Sequence, residues 1–461
     1  MPNTDINTKK SIFFVLGPTG CGKSLAAVWM AKTLRMECKY EYVVIVNCDV
    51  MQFYADLSVA TNKISIQEME GIPHCFIGFL SPYGEKVKDP TILYDGHSDV
   101  RNQSSHEVEL DSYNIHSYVH DVTRFIEKVF GDHSSAAVII CGGTCYYAQA
   151  IMFDNLLTKE DDEASLSLSS VEQSSPVICE DEQLLWDKLN EVDPEIAAQY
   201  HPNNTRRIRR LLDIYKKTKR MPSDIFKSRS SPCFRFNPEE CFVLWLQFPM
   251  EKLKSVLEGR VDKMVSNGIV EEILAFSQRY GGNVSSFPLS RAIGFKEFIS
   301  AFDTKNGEVH IRHNEIRGAI ELMKTNTKRY AKQQIRWIKN RFVRHLGHIF
   351  ISANVTENFV AIDVYKNLSE FKEMIEKTAK FFTRCSTEAT DLLFPLKSPL
   401  SKCTSVQHEW CDKCEIFFIG GTQREVHFRS KRHLGAIKRE ALAKQLERHG
   451  RGIPHKRQRI G

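Results

Sequence analysis

Gly17-Pro18-Thr19-Gly20-Cys21-Gly22-Lys23-Ser24 is a glycine-rich stretch that satisfies the pattern G-x-x-x-x-G-K-[ST]. Its flanks are those the pattern needs: the β-rich apolar run Ser11–Leu16 precedes it, and residues of helical composition follow from Gly22 onward. Strand, tight loop and helix in this order form a phosphate loop. Glycines let backbone N–H groups surround phosphate oxygens, the helix N-terminus adds partial positive charge, Lys23 adds a full one, and the Ser24 hydroxyl can ligate Mg²⁺. The loop by itself implies only that a di- or triphosphate is bound, for which a kinase or an ATPase is the default reading. Other residues have to decide the chemistry.

Outward from the loop, further buried strands are expected at Tyr42–Val46 and Ala136–Cys141. Short apolar strands separated by helical stretches make a parallel α/β sheet, with ligands at the carboxyl ends of its strands. Residues 80–112 are rich in Pro, Gly, Ser, Asp and His and read as a long surface excursion. Residues 160–182 hold eight Asp/Glu, six Ser and no Lys or Arg, the composition of a disordered acidic loop. From about 183 to 345 the pattern is mostly helical, with one strand-like run at Cys241–Gln247. The expected organisation is a first part of the α/β core over 8–160, the acidic loop over 161–182, and a helical insertion with returning core elements over 183–345. Final core elements and a linker occupy 346–404, and a small C-terminal unit 405–461.

Composition limits the partners. The chain has 461 residues, 42% of them hydrophobic and 26% charged, enough for more than one domain. No run approaches the roughly 18–20 apolar residues of a membrane span, and the first ten residues have no apolar signal core. The 13 cysteines are scattered, which speaks against a disulfide framework. A net charge of +6 conceals an asymmetry: Arg312–Arg344 carries +8 and Arg429–Gly461 carries +9, leaving −11 on the remainder. Two concentrated basic segments on an otherwise acidic chain point to a polyanionic partner.

The decisive residues lie downstream of the loop. Asn47-Cys48-Asp49-Val50-Met51-Gln52-Phe53-Tyr54 follows the second strand; Thr61-Asn62-Lys63 and Gly71-Ile72-Pro73-His74 come next, then Gly142-Gly143-Thr144 with Tyr146-Tyr147. His201-Pro202-Asn203 precedes Arg206-Arg207-Ile208-Arg209-Arg210. Arg260-Val261-Asp262, Ile293-Gly294-Phe295-Lys296-Glu297 and Thr327-Lys328-Arg329-Tyr330-Ala331-Lys332 complete the series. In content and order these segments resemble the tRNA dimethylallyltransferase (tRNA isopentenyltransferase) family, along nearly the whole enzymatic length.

The resemblance implies a P-loop NTPase-like parallel sheet and an enzyme that transfers a dimethylallyl group from dimethylallyl diphosphate to the exocyclic amine of the adenine 3′ of the anticodon. The products would be N6-isopentenyladenosine and diphosphate. It implies Asp49 as acceptor of the amine proton, Thr19 at the oxygen bridging prenyl and diphosphate, and Arg260 on the departing diphosphate. The donor would be held by Gly17, Pro18, Thr19, Gly20, Cys21, Gly22, Lys23 and Ser24, with Lys63, and Mg²⁺ would accompany the diphosphate. The flipped adenine would meet Cys48, Asp49, Val50, Met51, Gln52 and Thr144. The tRNA anticodon stem-loop would be gripped by Arg206, Arg207, Ile208, Arg209 and Arg210, and by Lys328, Arg329 and Lys332. There are departures. Cys75 stands where relatives have a second His, the 80–112 excursion is longer than usual, and Lys328, Arg329 and Gln333 replace the commoner Arg, Gln and Arg.

Beyond these segments, Cys411-x2-Cys414-x12-His427-x5-His433 has zinc-ligand spacing. Two thiolates and two imidazoles favour tetrahedral Zn²⁺ over Mg²⁺ or Ca²⁺. Trp410, Phe417 and Phe418 supply a miniature core, and a closed ligand set makes the site structural. The unit resembles the matrin-type fingers of eukaryotic family members. The Lys/Arg-rich tail after it is either a phosphate-binding extension or a nuclear import signal. A monomer in the cytoplasm is expected, with nucleus and mitochondrion left open. Two competing functions remain: an adenylate prenyltransferase acting on a free nucleotide, and a P-loop kinase or non-catalytic RNA-binding protein.

Overall fold

The computed structural model describes residues 9–96, 113–154, 182–200, 202–228, 233–280, 284, 287–305, 308–364, 367–385, 408–411, 414, 416–419, 421–430, 433–435 and 437–438. The acidic loop expected at 161–182, the end of the excursion and the basic tail beyond Lys438 lie outside the described residues, Glu182 excepted.

Six strands form one parallel sheet: β1 (Lys9–Leu16), β2 (Tyr42–Asn47), β3 (His74–Cys75), β4 (Ser135–Cys141), β5 (Cys241–Gln247) and β6 (Phe359–Asp363), in the order β6-β5-β1-β4-β2-β3. Alternation along each strand sends side chains to opposite faces. Thus Ile12, Phe14, Val44 and Val46 enter one apolar core, while Phe13, Val15, Val43 and Ile45 enter another. A parallel sheet covered on both faces requires such continuous apolar strands.

Helices supply the covers. α1 (Lys23–Met36) and α7 (Leu368–Phe382) lie on the second face, with Trp29 edge-on to Phe371 at 5.5 Å. On the first face, α2 (Ile115–Asp132) and α3 (Cys145–Met152) contribute Tyr118, Val122, Ile126 and Ala148. α5 (Met250–Ser266) and the 25-residue α6 (His313–Trp337) pack on each other. Among the described residues no helix is long and apolar enough to cross a membrane.

Contacts divide the chain into two compact units, one comprising Met1–Leu157 with Ser231–Pro399, the other Thr158–Ser230 with Leu400–Gly461. The first holds the sheet. In the second, α4 (Thr205–Thr218) packs Ile208, Leu211 and Leu212 against Leu185 and Leu189 of the Glu182–Val192 helix. An antiparallel pair, His408–Cys411 with Ile416–Ile419, precedes the Gly421–Phe428 helix.

Candidate active site

Three neighbouring strands, β1, β4 and β2, deliver their C-terminal ends to one place. β1 runs into the phosphate loop, where a Cβ on Gly17 would lie 2.5 Å from Cys21 Sγ and 3.0 Å from Leu246 O. Gly20 and Gly22 have φ of +79° and +84°, a region that costs an L-side chain about 1 kcal/mol or more. Lys23 is buried and its Nζ donates to Pro18 O at 2.8 Å, so the ammonium curls back over its own loop.

β2 ends at Asn47, whose side chain braces the turn into Asp49. Its Oδ1 accepts from Asp49 N–H at 3.0 Å and its Nδ2 donates to Phe76 O at 3.0 Å. Asp49 caps the short 3-10 turn Val50–Gln52, with Oδ1 accepting from Met51 N–H at 3.2 Å. From β4, Gly142 and Gly143 come so close that side chains cannot fit. A Cβ on Gly142 would meet Cys48 C at 2.4 Å, and one on Gly143 would meet Asp49 Oδ2 at the same distance. Burial raises the Asp49 carboxyl above the usual carboxylate range; Lys23, the Met51 N–H, Arg260 and the Gly143 N–H each pull it part of the way back. Burial likewise lowers the Arg260 guanidinium from its ordinary value, opposed by Asp49 and Cys21. A half-buried carboxylate whose desolvation outweighs the pull of nearby cations is a base poised closer to neutrality than a solvated one.

Thr19, Asp49, Met51 and Arg260 line one cavity of about 150 Å³, and Val261, Met264, Ala292, Ile293 and Met323 give it an apolar side. Cation-flanked polar atoms on one wall and aliphatic side chains on the other suit a ligand with a charged end and a short hydrocarbon end.

Residues outside the sequence-derived set hold these walls. Gln334 of α6 accepts from Thr19 N–H at 2.7 Å and donates to Gly143 O at 2.7 Å, and Tyr330 Oη reaches the same carbonyl at 3.1 Å. Glu272 takes both Val59 and Ala60 N–H groups at 2.8 Å, fixing the loop that carries Ala60 and Thr61. Buried Glu297 accepts from Gly294 N–H at 2.8 Å and from Asn326 Nδ2 at 2.7 Å. The partners of Gln334 and Glu272 lie hundreds of positions away in the chain, so spacing carries no signal of them; Glu297 stands inside a quoted segment whose job spacing does not reveal.

Other expected site residues are arranged differently. Lys63 Nζ donates to Ala55 O at 3.2 Å and Asp56 O at 2.7 Å, and burial lowers its ammonium to about 8. It lines a second cavity, which Arg260 also reaches. The Cys48 side chain sits in the apolar core, and Ile208 is fully buried among the helices of its own unit. Gln52 Nε2 donates to Thr61 O and Asn62 O, while Thr144 Oγ1 accepts from Val50 N–H. Lys328 pairs with Glu258 at 2.7 Å; Arg329 and Lys332 are exposed on α6, and Arg207, Arg209 and Arg210 on α4. The Arg206 side chain lies outside the described set. His74, beside the departure at Cys75, is buried with Nδ1 at 2.8 Å from Ile72 O.

In the other unit, one ligand atom from each of Cys411, Cys414, His427 and His433 lies within 4.8 Å of the rest. Cys411 Sγ and Cys414 Sγ stand 3.4 and 3.5 Å from His433 Nδ1. Ligands at about 2.3 Å (S) and 2.0 Å (N) from a shared tetrahedral ion are separated by roughly 3.5 Å. The donor set therefore fits structural Zn²⁺.

Comparison with known proteins gives concordant results. The IPP transferase family model matches residues 106–341. A tRNA dimethylallyltransferase of Homo sapiens is 30% identical over 92% of this chain and 85% of its own, and one of Saccharomyces cerevisiae is 26% identical over 96% of both. A solved structure of a eukaryotic dimethylallyltransferase acting on tRNA superposes with a TM-score of 0.66 at 25% identity, covering 96% of this chain and all of the other.

Proposed function

The chain belongs to the tRNA dimethylallyltransferase (IPP transferase) family, and from that premise we propose that it transfers the dimethylallyl group of dimethylallyl diphosphate to N6 of the adenine 3′ of the anticodon. The observation that carries this reading is the convergence of Thr19 of the phosphate loop, the half-buried Asp49 carboxylate and an apolar wall on one cavity. The aliphatic side suits the five-carbon chain of a prenyl donor.

The chemistry follows from the residues. The N6 lone pair forms a bond to the primary carbon of the donor as the carbon–oxygen bond breaks, and diphosphate leaves with that electron pair. The N6 proton passes to the Asp49 carboxylate. Lys23, Arg260 and the loop N–H groups stabilise the charge growing on the leaving group, and Thr19 stands at the bridging oxygen. Mg²⁺, bound with the diphosphate, would be held by Ser24, exposed at the first turn of α1, and would add to that charge stabilisation. Gln334 holds Thr19 and the Gly143 that abuts Asp49, so one side chain relates the donor loop to the base. We assign the protein to the cytoplasm as a monomer, with nucleus and mitochondrion open.

Incubation with labelled dimethylallyl diphosphate and AMP, ADP, ATP or unmodified tRNA tests the acceptor. Label in tRNA alone supports the proposal; label in a nucleotide would make this a free-nucleotide prenyltransferase. That alternative leaves the finger and the basic helix without a role.

Lys23→Ala and Arg260→Ala should each raise KM for the donor or lower turnover by about 10-fold or more, since each removes a charge from the diphosphate side. tRNA affinity should persist. Loss of tRNA binding with normal donor use at saturating tRNA would refute the assignment.

The finger and tail are assigned to tRNA affinity alone. Removing residues from about 405 onward should raise the apparent KM for tRNA and flatten its salt dependence, with turnover at saturation little changed. Replacing Cys411 and Cys414 together should unfold only the finger, because the ion's binding energy stabilises its own small unit. Loss of turnover at saturation with an unchanged KM would instead tie the C-terminal unit to catalysis.

A further inference from the structure

Away from the catalytic cavity, the sheet-bearing unit has an open concavity of about 820 Å³ between residues 86–91 and α2. Its loop is fixed at both ends: Val87 N–H donates to Phe79 O at 2.9 Å, and Pro90 O accepts from Phe76 N–H at 2.8 Å. Lys86 Nζ pairs with Asp121 at 2.6 Å and lies over the Tyr113 ring, 5.0 Å from its centroid. The segment that anchors the loop is itself bonded to the residues after Asp49, through Gly78 N–H to Gln52 O at 2.9 Å and Phe79 N–H to Phe53 O at 2.7 Å. The concavity is thus built on the same frame as the proposed base.

Its charges are unbalanced. Asp89 is turned onto its own loop, where Oδ1 accepts from Thr91 N–H at 2.8 Å and Thr91 Oγ1 at 2.7 Å; these bonds, helped by the more distant charges of Lys86 and Lys128, hold the carboxyl below the usual range. Asp121 is engaged by Lys86 and by Tyr113 Oη at 3.2 Å. That leaves Lys88, Arg124 and Lys128, which have no carboxylate within ion-pair distance among the described residues. Asp121, Arg124 and Lys128, three and four positions apart, share one face of α2. Three cations around one open concavity offer a polyanion several points of attachment. They also stand out against a remainder of the chain that carries −11; neither the loop nor the helix is a basic run by itself, so the patch exists only in the fold.

We propose that this concavity is an auxiliary RNA site that takes ~2–3 backbone phosphates of the tRNA substrate, outside the nucleotides that enter the catalytic cavity. The proposal rests on the tRNA reading above. The cations are spread over an open surface, and the lining has no glycine-rich run whose N–H groups could close around a single phosphate, which suits a strung polyanion better than a free anion.

The test is the full-length triple variant Lys88→Ala/Arg124→Ala/Lys128→Ala, titrated with tRNA across KCl concentrations and assayed for prenyl transfer. Expected is a rise in Kd of roughly 10-fold near 0.1 M salt, a plot of log affinity against log salt shallower by about 2–3, and unchanged turnover at saturating tRNA. Lys128→Glu alone should move Kd the same way at an unchanged Tm, which keeps the test decisive should the triple variant unfold. If the unmodified protein fails to prenylate tRNA, the functional reading falls. If it prenylates tRNA and the variants keep its affinity and salt slope, only the auxiliary site is refuted. Loss of inorganic pyrophosphate binding at this patch, followed by ³¹P NMR, with tRNA affinity intact would make it a small-anion site and equally overturn the proposal.

Discussion

Asp49→Asn is expected to leave tRNA affinity within about twofold of the parent while lowering turnover by at least ~10²-fold, the usual effect of losing a general base. Asparagine keeps an oxygen for Met51 N–H but cannot take a proton. Because burial holds the Asp49 carboxyl above the ordinary range, the base protonates at a higher pH than a solvated aspartate, near 3.9. Turnover should therefore fall as pH drops through that raised value, and the residual rate of the Asn variant should lack this acid limb. Removing Arg260, one of the cations that lowers the carboxyl, should displace the limb toward higher pH. Turnover-against-pH curves for the three proteins decide the matter; an acid limb retained in Asp49→Asn would take Asp49 out of the proton transfer.

Gly142 and Gly143 should separate stability from activity. In Gly143→Ala the new methyl falls 2.4 Å from Asp49 Oδ2 and 3.2 Å from its Cγ, and the movable partner is the carboxylate itself. Turnover should drop by about 10-fold or more, with a stability cost at or below the ~1–3 kcal/mol of overpacking. In Gly142→Ala the methyl meets backbone, Cys48 C at 2.4 Å and Asp49 N at 2.5 Å. Nothing there can swing aside, so this variant should lose more stability than its neighbour, at the upper end of that range or beyond. Thermal melts beside initial rates would show it. A Gly143→Ala enzyme with normal turnover would mean that the carboxylate does not need its present position.

Much of this fold is legible in the sequence, and the reasons are local. The runs at Ser11–Leu16, Tyr42–Val46, Ala136–Cys141 and Cys241–Gln247 are all strands of the sheet, within a residue or two of the expected limits, because strands buried on both faces are continuously apolar. Phe359–Asp363 is apolar through Ile362 as well, but a run of four is too short for its period to tell a strand from a buried helix segment. For the site, motif order locates a residue along the chain but does not aim its side chain. Cys48 and Ile208 stand inside motifs yet point into cores, Ile208 because it shares its helix stripe with Leu211 and Leu212. Lys63 turns to two carbonyls of its own loop. Gln334, Glu272 and the Lys88–Arg124–Lys128 patch are tertiary creations, invisible until distant segments meet.

The order in which the sheet is assembled also bears on how the protein is made. The strand that carries the phosphate loop sits between β4 and β5, pairing Ile12 with Cys241 on one side. While the ribosome has delivered only the residues before β5, that strand presents an open edge of unpaired N–H and C=O groups, a ready template for pairing with other chains. At ~5–20 residues per second the gap lasts roughly 10–45 s. For that interval the strand bearing the phosphate loop has to be kept from pairing with other chains until β5 arrives to close its edge.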